Sequence, residues 1–304
     1  MKNIPIVRRL TAEEMSESII QETTDLYMEV FNFHHYLLFS STLEILGVRD
    51  VFRSTRYPDL KTQHAIKQMP VHAETGEQAI FWHHPETTYR ILKKRLMRDS
   101  TNSTFLIDPQ TEEIIGAIIG DKTSLCDLFD DNGWTNPTLY AGIEAKQHCR
   151  SPESLLQQIN DTLKNLKPNR ASSQILRHIT QFRPGEKVLS PNCIALKKKA
   201  RHNDSLSLLF SGFLASLPNE SKTIPFVFEA TWQSGLTKIC LRSGMILING
   251  TLRDPDAEKK DGDSVIIVGD YDCFCKAGQI LNRLNSINMK NQFTGRSPFR
   301  PKFQ

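Results

Sequence analysis

The stretch from Val188 to Gly244 constrains this chain more than any other. Val188 to Leu196 is apolar and β-prone, and Lys197 to Asp204 is polar and basic. Ser205 to Leu217 carries Leu206, Leu209, Phe210, Phe213 and Leu217 at the i, i+3, i+4 spacing of a helix. Pro218-Asn219 ends that helix. Ile224 to Phe228 reads as a strand, Gln233 to Arg242 as a second helix with Gly244 as its C-cap, and Met245 to Leu252 as strand-like. Strand, loop, helix, strand, helix, strand predicts an α/β architecture.

The basic loop opens directly onto a helix N-terminus. Unpaired N–H groups and the positive end of the helix dipole converge there, which favours an anion. Lys197, Lys198, Lys199 and Arg201 add charge beside it. A phosphate ligand is therefore expected at His202 to Ser207.

The remainder bounds the class. The chain has 304 residues, 39% hydrophobic and 24% charged, which fits one large soluble domain or two ordinary ones. It shows no apolar run of membrane-spanning length and no signal-peptide core, so a cytoplasmic protein is expected. A net charge of +4 does not by itself argue for nucleic acid. The six cysteines have no framework spacing and read as free thiols. Cys273-Phe-Cys275 lacks the partners of a zinc site, and no metal is expected. Ile4 to Leu10 is β-prone, and Thr11 to Glu14 is a capping box before a helix expected to reach about Phe33. Leu37 to Gly47 is expected as a helix, and Glu86 to Met97 as another. Thr104 to Asp108 and Glu113 to Gly120 form a hairpin pattern around the turn at Pro109. Helical runs follow over Pro152 to Leu166 and Ala171 to Phe182. Asp127, Asp130 and Asp131 could attract a cationic amine, or form a solvated acidic loop.

This order of elements resembles the cofactor half of the GCN5-related N-acetyltransferases (GNAT). In that family a strand leads to a loop of the form Q/R-x-x-G-x-G/A that holds the pyrophosphate of acetyl-CoA. The matching positions here are His202-Asn203-Asp204-Ser205-Leu206-Ser207, with His202 for Gln or Arg and serines for both glycines. Leu241-Arg242-Ser243-Gly244-Met245 stands where the family has a "klGF" turn, and FLIDPQTEEIIGAIIGDK is similar to its second and third strands.

The resemblance implies a mixed, mostly antiparallel central sheet flanked by helices, with helical insertions. It implies a single domain over residues 1–285, interrupted by insertions at about 48–85 and 121–185, then a flexible basic tail at 286–304. It implies an acetyl-CoA-dependent N-acetyltransferase that joins an acetyl group to a small-molecule or peptide amine by direct attack in a ternary complex. Acetyl-CoA would lie against Ala195, Leu196, Lys197, Lys198, His202, Asn203, Asp204, Ser205, Leu206 and Ser207. Its pantetheine would enter the splay between the fourth and fifth strands, and a fourth-strand N–H would meet the thioester oxygen. The family's proton-donating Tyr, four residues before the turn Gly, is replaced by Cys240. His35 stands where a related branch places its base, and Glu229 is the carboxylate nearest the splay. Neither a membrane nor a nucleic acid is expected as partner. The alternative is a non-catalytic protein of the same fold that binds a phosphorylated or polyanionic partner. A hydrolase finds no G-x-S-x-G around Ser211-Gly212.

Overall fold

The computed structural model describes residues 4–31, 37–39, 79–81, 85–98, 101–131, 150–166, 172–179, 181–200, 205–232, 234–252, 255–256, 258–259 and 264–293. The chain begins with β1 (Ile6–Leu10) and α1 (Glu17–Phe31). The Thr11 to Glu14 box closes a 3-10 turn ahead of α1 and is not the start of the helix itself. The Glu14 carboxylate accepts from the Thr11 amide at 2.8 Å, and the chain breaks before the helix begins.

A short ribbon follows, β2 (Leu37–Phe39) against β3 (Ala79–Phe81). The first residues of the helix expected over Leu37 to Gly47 are therefore strand. The rest of that expectation lies outside the described residues. Next come α2 (Pro85–Leu96), β4 (Thr101–Ile107) and β5 (Ile114–Ser124). The β4–β5 hairpin is the one its alternation predicts. Its turn places Glu112 at φ 57, with the Glu112 amide on the Asp108 carbonyl at 2.8 Å. β5 runs further than expected, so Asp121 lies in the strand, buried and paired with Arg98 at 2.8 Å.

Helices α3 (Leu125–Asp131), α4 (Pro152–Asn165) and α5 (Gln174–His178) separate β5 from β6 (Lys187–Leu196), its direct neighbour in the sheet. Among the described residues of the run expected over Ala171 to Phe182, only α5 is helical. The described part of this excursion is built into the core: Leu125, Phe129, Leu155, Ile159, Leu163, Leu176 and Phe182 are all buried. Its polar groups tie it to later chain. Gln158 donates to the Thr251 carbonyl at 3.0 Å, and Ser172 to the Gly244 carbonyl at 3.1 Å. Thr162 accepts from the Asn249 amide at 3.0 Å.

The last third holds α6 (Ser205–Ser216), β7 (Phe226–Thr231), α7 (Gly235–Arg242), β8 (Ile246–Leu247), β9 (Ser264–Gly269) and α8 (Tyr271–Phe293). α7 ends as its sequence predicts. Gly244 takes φ 99, and the Met245 amide reaches back to the Cys240 carbonyl at 3.1 Å, the Schellman closure. α8 continues to Phe293, into the segment expected as a tail, and residues 294–304 lie outside the described residues.

One seven-stranded sheet organises the molecule, in the order β1-β4-β5-β6-β7-β9-β8. Every pairing is antiparallel except β6 with β7. This is the mixed, mostly antiparallel sheet between helices that the resemblance implied. One face carries α1 and α2, whose Ile20, Leu26, Leu92 and Leu96, with Met15 just before α1, pack on Phe105, Ala117, Ile119 and Ala195. The other carries α6 and α8. Phe274 of α8 stacks on Phe210 of α6 at 5.4 Å and meets Phe226 and Phe228 of β7 at 4.9 and 5.7 Å. α6 is apolar nearly all round because it is covered on both sides. Gly120 is required beneath it, since a Cβ there would stand 2.6 Å from the Phe213 ring.

Candidate active site

The site is defined by where β6 and β7 part. Their ladder consists of one pair, Leu189 with Phe226. The Leu189 amide donates to the Pro225 carbonyl at 2.9 Å, so the nitrogens of β6 that face β7 belong to odd-numbered residues. The next of these is Pro191, which has no N–H to give. The parallel ladder stops there, and the strands diverge toward their C-terminal ends.

A bulge sits in β6 just beyond that point. Asn192 faces Ile119 and Ala195 faces Ala117 on β5, so Cys193 and Ile194 together stand opposite Ile118. The extra residue has no ladder partner on β5. Among the described residues no strand pairs with β6 on its other side at this level, so the bulge borders the gap. A proline that ends one ladder and a bulge that interrupts the other thus open one strand at the same place.

The anion end is built differently from its sequence reading. β6 ends at Leu196, and the Lys197 amide still bonds to the Ile115 carbonyl at 2.9 Å. Lys198 to Ala200 form a 3-10 turn, and α6 starts at Ser205. Lys197 is bound to the Glu113 carboxylate and lies 3.6 Å from Glu29, while Lys199 holds the other oxygen of Glu113. The two ammonium groups pull Glu113 down to about 2 and raise Lys199 in return. Much of the positive charge expected for a phosphate is thereby answered from within the chain. Ser205 and Ser207 are both buried, and the Ser207 hydroxyl bonds to Asn282 of α8. Leu206 packs on the main core. Ala195 and Leu196 are buried on opposite faces of β6. His202, Asn203 and Asp204 lie outside the described residues, as does His35, and the side chain of Lys198 is not described.

Glu229 lies on β7 between the buried Phe228 and Ala230, level with Ile266 of β9. Cys240 is fully buried on α7. Burial, and the neighbouring Cys273 thiol on α8, push it up to about 12. A proton moved from such a thiol to a thiolate of ordinary basicity goes uphill. Asp270 caps α8, accepting from the Cys273 amide at 3.0 Å and from the Ser173 hydroxyl.

Two features were missed in the sequence. Glu113 could not be read as the partner of the lysines before the β4–β5 hairpin and β6 were placed in register. Pro191-Asn192, in the middle of an otherwise apolar strand, was the visible signal for the splay and the bulge.

No protein-family model matches this sequence, and no curated protein matches it. Among solved structures, Escherichia coli ElaA is similar over 88% of this chain and 100% of its own, at 8% identity and TM-score 0.37. A mosquito arylalkylamine N-acetyltransferase-like protein, 5b, is similar over 88% and 99%, at 8% identity and TM-score 0.45. The GNAT-like decarboxylase GphF, in complex with isobutyryl-CoA, is similar over 71% and 97%, at 13% identity and TM-score 0.31. At such scores none of them assigns a role to a residue here. Among the described residues no helix is long and apolar enough to cross a membrane.

Proposed function

We propose that this chain is an acyl-CoA-dependent N-acyltransferase that moves an acetyl group from acetyl-CoA to an amine. The observation that carries the reading is the parted β6–β7 junction with its bulge. Backbone donors bordering a slot between strands suit a thioester oxygen on which negative charge develops. Pantetheine lies in the slot, and the phosphates lie toward the N-terminus of α6.

The neutral amine attacks the thioester carbonyl carbon. The C–N bond forms, the C–S bond breaks, and CoA leaves as the thiolate. The amine proton passes to the Glu229 carboxylate, directly or through water, with His35 as the second candidate base. Cys240 remains protonated in the core, and the thiolate takes its proton from solvent or from the protonated base.

The test is calorimetry of acetyl-CoA with the native chain and with a variant lacking Cys193, which removes the bulge. Binding in both, with turnover on an amine panel reduced at least ~100-fold in the deletion, is the expected outcome for a lost oxyanion donor. Absence of binding at millimolar acetyl-CoA sinks the reading.

The second reading is a non-catalytic binder of a polyanionic partner, and the observation behind it is one that weighs against a cofactor phosphate at this end. Glu113 occupies two lysines, and α8 covers the first turn of α6. It expects no acetyl-CoA binding, together with heparin binding that weakens steeply with salt.

A further inference from the structure

We infer that Asn192 positions the acceptor, and that the acceptor carries a carbonyl or hydroxyl oxygen on the carbon next to its amine, as a peptide N-terminus or an amino-acid amide does. This rests on the acyltransferase reading of the same slot. Asn192 is the last regular residue of β6 before the bulge. Its side-chain amide nitrogen is buried and has no hydrogen-bond partner among the described residues. The other end of the amide accepts from the Ser190 hydroxyl at 2.9 Å. With Oδ1 held by Ser190, the end left over is the N–H donor, which suits an oxygen of a ligand. An unpaired buried amide is costly, and a ligand that meets it recovers that cost.

The register places this group. Directly opposed residues of an antiparallel pair share a face. Asn192 opposes Ile119, which packs under α1 and α2. Phe226 and Phe228 meet Phe274 on the other face, so Glu229 alternates back to the face of Asn192. Counting three residues from the Leu189–Phe226 pair puts Asn192 and Glu229 at the same level across the gap. A carboxylate and an amide thus flank the slot on one face, with the bulge beside them. Glu229 suits the amine, and Asn192 suits an oxygen one carbon away. Ser103, opposite Ile119 on its other side, carries a second buried hydroxyl with no partner among the described residues.

The test compares two bisubstrate conjugates by calorimetry. In one, CoA is joined through an acetyl bridge to the nitrogen of glycinamide; in the other, to n-propylamine, which has the same length without the oxygen. In the native chain the glycinamide conjugate is expected to bind at least ~10-fold tighter, because a site built to bond an oxygen rejects the analogue that lacks it. In Asn192→Ala and Asn192→Ser the preference falls below about twofold, while affinity for CoA itself and the unfolding midpoint stay near native. Equal binding of the two conjugates by the native chain overturns the inference and leaves the acyltransferase reading standing. Failure of CoA and both conjugates to bind overturns that reading, and this one with it.

Discussion

Replacing Glu113 by Gln tests the electrostatics of the anion end. A carboxylate drawn from its ordinary 4.5 to about 2 corresponds to at most about 3 kcal/mol of stability. The Glu113 side chain keeps 34% of its exposure, and Lys199 keeps 54%, so solvent screening reduces the figure to about 1–2 kcal/mol. Lys197, at 11% exposure, retains Glu29 at 3.6 Å and is not stranded by the change. The folded-state value lies below the unfolded one. The contribution is therefore complete above pH 4.5 and is lost as pH falls toward 2. Urea unfolding of the native chain and Glu113→Gln should differ by about 1–2 kcal/mol at pH 7, with the gap closing below about pH 4. The same substitution removes a negative charge beside the loop. CoA should therefore bind tighter to the variant, and the gain should shrink as salt is added. Equal stability at pH 7, or a gap that widens on acidification, would refute the reasoning.

Two further outcomes follow from the core. Phe274→Ala removes the ring shared by α6, β7 and α8, and is expected to cost about 3–5 kcal/mol; a loss under about 1 kcal/mol in denaturant unfolding would contradict the packing. Cys240 and Cys273, both buried and both pushed up to about 12, should resist a thiol reagent at pH 8 in the native state and react once denatured. Rapid native labelling of either would count against the burial.

What could be read from the sequence was local. The hairpin pattern of Thr104 to Gly120, the stripe of α6 and the stop at Gly244 each carry their own periodicity or backbone requirement; each element is present, with the hairpin strands running on at their outer ends to Thr101 and Ser124. Leu37–Phe39 was misread as helix because three apolar residues carry no period, and their partner lies some forty residues away. α8 outran its expected end because its later turns are polar, as an exposed helix and a loop both are. At the site, Glu229 and the β6 segment were legible as positions. The engagement of Lys197 and Lys199, the bond of Ser207 to Asn282 and the leftover amide of Asn192 are properties of register between distant strands and helices. No single segment encodes them.

The one-pair junction between β6 and β7 also bears on how the protein holds together over time. Among the described residues, backbone pairing between β1-β4-β5-β6 and β7-β9-β8 is confined to the Leu189–Phe226 junction, so side chains carry most of the bridge between them. Amide exchange should therefore resolve two cooperative units with different opening energies. The seam between them is the slot itself, so whatever fills it acts as a staple between two halves that would otherwise breathe apart.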